Sequence, residues 1–207
     1  MKFFTSSRAS VIALDVRAGS TYVMTFILAG TAILAVITKL HQPISQSPAF
    51  DPPRSSSVET TTKPARLVIP SIKVNAPVED VGLLSDGSMD APKGWNDVGW
   101  YDLGPRPGET GNAVMAGHLD SYIGAAVFWH LDELKPGDTV SVIDTAGNTH
   151  QFRVTSMHSY MTDNPPMQKI FGTATGSHLN LITCDGTWNG ALQRYDHRLV
   201  VYTDAVR

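Results

Sequence analysis

Residues 180–186 read Asn180-Leu181-Ile182-Thr183-Cys184-Asp185-Gly186. A short apolar, β-branched run stops at a cysteine, and an Asp-Gly turn signal follows at once. Such a run is strand-like, and the turn ends it. A side chain at the end of a strand, just before a glycine turn, is presented to a cleft. Cys184 is the chain's single cysteine, so it has no intrachain disulfide partner, and multi-cysteine zinc or iron–sulfur sites are excluded. Two readings stay open: a small buried hydrophobe, or a nucleophile that needs a base or a positive neighbour to ionise.

Working outward, the same grammar recurs. Arg66 to Ile69, Ile72 to Val78, Asn112 to Ala116, Thr139 to Ile143, Gln151 to Met157 and Leu199 to Tyr202 are further strand candidates. Between them stand Asp86-Gly87, Gly104-Pro105, Pro107-Gly108, Pro136-Gly137 and Gly147-Asn148. Helical periodicity is confined to Val127–Leu134, with Val127, Phe128, Leu131 and Leu134 inward, and to a turn at Gln168–Phe171. Many short strands and few helices predict a mainly β domain, a sandwich or a barrel. Trp95 and Trp100 are assigned to its core.

Six histidines accompany this region: His118, His130, His150, His158, His178 and His197. His118 closes its own apolar strand, Ala113-Val114-Met115-Ala116-Gly117, much as Cys184 closes the other. Arg198 opens the last apolar strand, where it could donate to the oxyanion of an acyl-transfer intermediate; an ordinary strand-edge arginine is the alternative. No H-E-x-x-H or close histidine pair suggests a metal, and no cofactor is expected.

The N-terminal third differs. The chain has 207 residues, 16 Lys+Arg and 19 Asp+Glu, with charged residues at 17%, below the roughly 25% of average soluble proteins. The deficit lies in Ala18–Thr38, 21 residues without a charge. As a helix they would span about 31 Å, the thickness of a bilayer core. Lys2, Arg8 and Arg17 precede this run and place its N-terminal side in the cytoplasm. A cleaved signal peptide, with Ser47-Pro48-Ala49 as its cleavage site, would have a shorter apolar region of about 7–15 residues. His41 to Pro64 is rich in Pro, Ser and Thr and reads as a spacer that extends to at most about 80 Å. The expected organisation is a cytoplasmic N-terminus at 1–17, a transmembrane signal-anchor at 18–39, a linker at 40–64 and an extracytoplasmic domain at 65–207. That last part carries 10 Lys+Arg and 16 Asp+Glu, a net of −6. The absence of a basic excess argues against a nucleic-acid partner.

Taken together, Gly117-His118-Leu119-Asp120-Ser121, Leu181-Ile182-Thr183-Cys184 and His197-Arg198-Leu199-Val200-Val201 resemble the three catalytic blocks of sortases, membrane-anchored cysteine transpeptidases of Gram-positive-type bacteria. The resemblance extends over Ile69–Val78, Trp100-Tyr101, Pro107–Ala113 and Ala126–Asp138, and so over essentially all of 65–207. Its flavour is class F, or the neighbouring classes D and E. Asn180-Leu181 stands where the family usually has Thr-Leu, and Asp196 stands near the place where class F often has its arginine; Arg194 is therefore the reserve for Arg198.

The resemblance implies an eight-stranded β-barrel with one or two short helices. It implies that Cys184 attacks the Thr carbonyl of an LPxTG-like sorting signal, between Thr and Gly. His118 would act as general acid then base, and Arg198 would hold the oxyanion. The partners would be secreted proteins bearing such signals and an amine of a peptidoglycan precursor. Asp120 is expected to orient the imidazole or shape the groove, Thr183 to position substrate, and Asp185 and Trp188 to form a groove lip. Competing readings are an anchored hydrolase of similar peptides and a non-catalytic surface binding module. An L,D-transpeptidase does not fit Thr183-Cys184-Asp185-Gly186, and a papain-like hydrolase has Cys and His in the opposite order.

Overall fold

The computed structural model describes residues 61–206. The anchor candidate and nearly all of the spacer lie outside the described residues. Among the described residues no helix is long and apolar enough to cross a membrane.

Ten strands and one short helix follow in order: β1 (Pro64–Ile69), β2 (Val74–Val81), β3 (Val98–Tyr101), β4 (Gly111–Gly117), β5 (Asp120–Ser121), β6 (Gly124–Ala125), β7 (Thr139–Asp144), β8 (Thr149–Met161), α1 (Met167–Phe171), β9 (Ser177–Asn189) and β10 (Arg194–Ala205). Eight of them close a barrel in the order β1-β2-β3-β4-β9-β10-β8-β7, and β5 and β6 form a separate hairpin. The expected eight-stranded barrel is therefore present. Closure removes the sheet edges that would otherwise pair with other chains. Pairing is antiparallel except for β2 with β3 and β4 with β9.

The central strands are covered on both sides, which explains their unbroken apolar runs. Leu179, Leu181, Leu199, Val201, Ala113 and Met115 point into the barrel, where they join Leu67, Val98, Phe128 and Phe152. Their neighbours Val114, Ile182, Val200 and Tyr202 point outward into a second cluster with Val81, Met89 and Ile170, capped by Phe171 of α1. Side chains alternate with period two along a strand. The outward set therefore continues from Val114 and Ala116 to His118, from Ile182 to Cys184, and from Val200 back to Arg198.

The helical segments are short: single turns at Pro70–Ile72 and at Leu131–Glu133, the latter with Phe128, Leu131 and Leu134 fully buried, and α1; the last two are where they were expected. Pro64, the last residue assigned to the spacer, already belongs to β1, and the residues just before it are tied to the barrel. The Thr62 amide donates to Asp144 Oδ2 (3.3 Å), the Thr145 amide donates to the Lys63 carbonyl (2.8 Å), and Lys63 pairs with Asp80. Asp144 is buried. Burial raises its pKa, but donors from Asn148, Thr62 and His150 outweigh that and hold the carboxyl well below the usual carboxylate range.

Candidate active site

Register brings the three candidate residues together. In the β9–β10 ladder Arg198 is the direct partner of Cys184. In the parallel β4–β9 pair Ala116 stands beside Ile182. Two residues further along each strand, on the same face, come His118 and Cys184. A side-chain bond locks this alignment, since Thr183 Oγ1 donates to the Gly117 carbonyl across 2.9 Å in the interior. It joins the residue before the cysteine to the residue before the histidine. Gly117 has no room for a side chain, because a Cβ there would come within 3 Å of Val127 and Phe128.

His118 Nε2 lies 2.8 Å from the Pro92 carbonyl. A carbonyl only accepts, so Nε2 carries the proton and Nδ1 is the basic nitrogen of the neutral ring. The indole of Trp95 packs on the imidazole at 4.6 Å between centroids. Trp95 is 39% exposed, not core as expected, because this contact and one with Tyr122 hold it at the cleft wall; Trp100 is buried. The other five histidines have different surroundings. His130, His150, His178 and His197 pair with Glu133, Asp144, Asp204 and Asp196, and His158 packs against Tyr160 and Tyr202.

Arg198 is 2% exposed. Its Nη1 donates to the carbonyls of His197 (2.7 Å) and Tyr195 (3.1 Å), which fix the guanidinium beside the thiol. Burial pushes the Cys184 thiol pKa up; the charge of Arg198 opposes this, and that of Asp120 adds to it. The same burial lowers the Arg198 pKa, against the pull of Cys184. Each group thus favours the charge of the other in a partly dehydrated place. That arrangement suits a nucleophile that ionises when a substrate arrives.

Two clefts meet here. One is a crevice of about 40 Å³ along Met89–Pro92, Ala116, Ile182 and Phe171. The other is an open cleft of about 530 Å³ between the β5–β6 hairpin and the β9–β10 hairpin. Only His118, Cys184 and Arg198 line both. Asp120 lies in the open cleft, where its Oδ2 accepts from the Tyr195 hydroxyl at 2.5 Å. Its bond goes to that phenol and not to the imidazole, whose own bond goes to Pro92. Arg194 lines the same cleft and pairs with Asp163 (3.0 Å), and Trp188 stands at its rim. Asp185 turns the other way, bonds Ser159 and lines a third pocket, which Thr183 and Cys184 also border. Among the described residues no group of three or more His, Cys, Asp or Glu could hold a metal.

The sortase domain family model matches residues 67–206. The chain belongs to the sortase family. Members of that family are cysteine transpeptidases, enzymes of acyl transfer. The fold is similar to that of sortase A from Corynebacterium diphtheriae, at 21% identity over 71% of this chain and 62% of that one, with a TM-score of 0.54. It is similar to sortase C-1 from Actinomyces oris, at 23% identity, 69% and 73% coverage and a TM-score of 0.52. It is also similar to a Clostridium perfringens sortase D5 transpeptidase, at 19% identity, 70% and 79% coverage and a TM-score of 0.52. This sortase thus spans under two thirds of the Corynebacterium chain. No curated protein sequence matches it.

Proposed function

We propose that this sortase is a membrane-anchored transpeptidase, closest to class F or to classes D and E, that joins proteins carrying an LPxTG-like C-terminal signal to an amine of a cell-wall precursor. The anchor is the uncharged stretch Ala18–Thr38, and the catalytic domain is extracytoplasmic on its Pro/Ser/Thr-rich tether. Tethering raises the effective concentration of acceptors held at the same membrane.

The observation that carries this reading is the pair of clefts with three residues in common. A ligation joins two substrates at one reacting atom, so two approaches to one thiol fit it better than they fit a binding module. In the first half-reaction Cys184 passes its thiol proton to His118 Nδ1, and Sγ adds to the Thr carbonyl. Arg198 holds the oxyanion, His118 gives a proton to the departing Gly nitrogen, and the C–N bond breaks to leave a thioester. In the second, an amine adds to the thioester and Cys184 leaves as the thiolate. The crevice is apolar and suits the Leu-Pro end of the signal.

The test is incubation of the full-length protein with a panel of LPxTG-like peptides and primary amines, read by mass. Expected are peptides cleaved after Thr and amide products with the amine, none of them formed by Cys184→Ala. No cleavage with any peptide, or equal turnover by the variant, contradicts the proposal.

A further inference from the structure

The outer face that carries Cys184 changes character along its length. From the thiol it runs back along β9 through every second residue, as Ile182, Asn180 and His178. Register sets Val114 and Tyr202 beside Asn180, and Asn112 and Asp204 beside His178. The half nearest the thiol is apolar. From Asn180 onward it turns polar, and a cavity of about 360 Å³ opens there. This cavity shares no lining residue with either cleft at the thiol. Cys184 and His178 are six residues apart on one strand, about 20 Å. Helix α1 borders both places, with Phe171 at the crevice and Gln168 and Lys169 at this cavity.

The polar groups here are fixed but not used up. Asn180 is 1% exposed, and its Nδ2 donates to the Ile170 carbonyl across 2.8 Å. Asn112 Nδ2 donates likewise to the Gly172 carbonyl (2.8 Å). Both amides are thereby oriented, yet neither Oδ1 accepts a bond from any described residue. A buried amide oxygen calls for a donor. Lys169 Nζ lies 4.1 Å from the centroid of the Tyr202 ring, and it pairs with no carboxylate among the described residues. His178 Nδ1 donates to Asp204 Oδ1 at 2.7 Å.

We propose that this cavity is a second binding site, for an uncharged saccharide whose hydroxyls donate to Oδ1 of Asn112 and Asn180 and accept from Lys169. A hydroxyl both donates and accepts, which matches walls that offer both. A small cation would meet Lys169, a small anion would meet Asp204, and an apolar guest would leave the amides without partners. An extended peptide gains affinity by pairing with a free strand edge. None is on offer, because β9 is paired by β4 and β10, and β10 by β9 and β8. The site goes beyond the transpeptidase reading and does not depend on it; on that reading the glycan of the cell wall is the natural source of the ligand.

The test is saturation-transfer NMR on the full-length protein in detergent micelles. The ligand is the N-acetylglucosamine trimer, beside acetyl-trialanine amide, acetate and tetramethylammonium. Saturable transfer to the saccharide is expected, with less to the peptide and none to the two ions. Lys169→Met should weaken the saccharide about tenfold, as for one or two lost hydrogen bonds. Ser156→Trp places an indole in the cavity that Ser156 lines and should abolish binding. Denaturant melts and the rate of Cys184 alkylation should match wild type in both variants. Should Ser156→Trp melt early, the exposed Lys169 still decides, since unchanged affinity in Lys169→Met overturns the proposal. No saturation by the saccharide, preference for the peptide or an ion, or full binding by a folded Ser156→Trp also overturns it. None of these readouts needs cleavage of a sorting signal, so failure here and failure of the transpeptidase reading are separate results.

Discussion

The two clefts flanking Cys184 are built in opposite ways. The crevice lies over the outer apolar cluster, between Met89 and Phe171, and is narrow. The open cleft stands between two hairpins whose aromatic tips face water, Tyr122 at 88% exposure and Trp188 at 54%. A narrow apolar slot gains from burying an apolar guest. A wider cleft with aromatic walls also offers charge recognition. The contrast teaches that, on the proposed function, the two half-reactions would have separable binding determinants and a common set of reacting groups.

The sharpest way to break this division is at the shared residues. Cys184→Ala should abolish cleavage and transfer together, leaving no acyl-enzyme by mass. Arg198→Met should slow both by about 10²–10³-fold, as for loss of an oxyanion donor. The same change should move the pH profile of thiol alkylation. In wild type, burial places the ionisation above the ordinary cysteine value, and the charge of Arg198 limits that rise. Without Arg198 the midpoint should move further up, read as iodoacetamide rate against pH. An unmoved midpoint would mean that the guanidinium does not act on the sulfur.

Smaller effects sharpen the division. Thr183→Val keeps the shape and removes the bond to Gly117, so the turnover number should fall about tenfold while KM for the peptide holds. Thr183→Ser should recover most of it. The lost interior bond should also cost about 1 kcal/mol of stability, measurable by denaturant melts. Phe171→Ala lies on the crevice side alone. It should raise the peptide KM about fivefold through lost apolar contact, with the partition among amines unchanged. A change in that partition would show that the clefts are coupled.

Much of this was readable from residues 180–186 and their counterparts, because apolar runs with period-two faces and Gly turns are local signals. All seven proposed strands lie in or overlap barrel strands. β3 (Val98–Tyr101) was not among them: its four residues include Gly99, and it is a strand only because β2 and β4 pair with it on either side. The β5–β6 hairpin is two residues on each side and likewise carries no periodic signal. Sequence patterns singled out Cys184, His118 and Arg198, because each borders a legible apolar run; the expected strand ends at Cys184 and Arg198 are not observed, since pairing of β9 with β10 carries both strands on past Asp185-Gly186. Tyr195 and Pro92 were invisible, since one acts through a phenol that meets Asp120 from 75 positions away and the other through a backbone carbonyl. Trp95 was assigned to the core because an indole's exposure depends on a loop path that composition does not encode.

The central claim is that Cys184 forms an acyl-enzyme with a sorting-signal peptide. The direct measurement is the intact mass of the full-length protein, quenched in acid seconds after mixing with an LPxTG-like peptide and no amine. The account predicts a mass gain equal to the peptide up to and including its Thr, mapped to Cys184 by digestion and released by neutral hydroxylamine. An unmodified protein with every peptide of the panel, or an adduct that persists in Cys184→Ala, would contradict it.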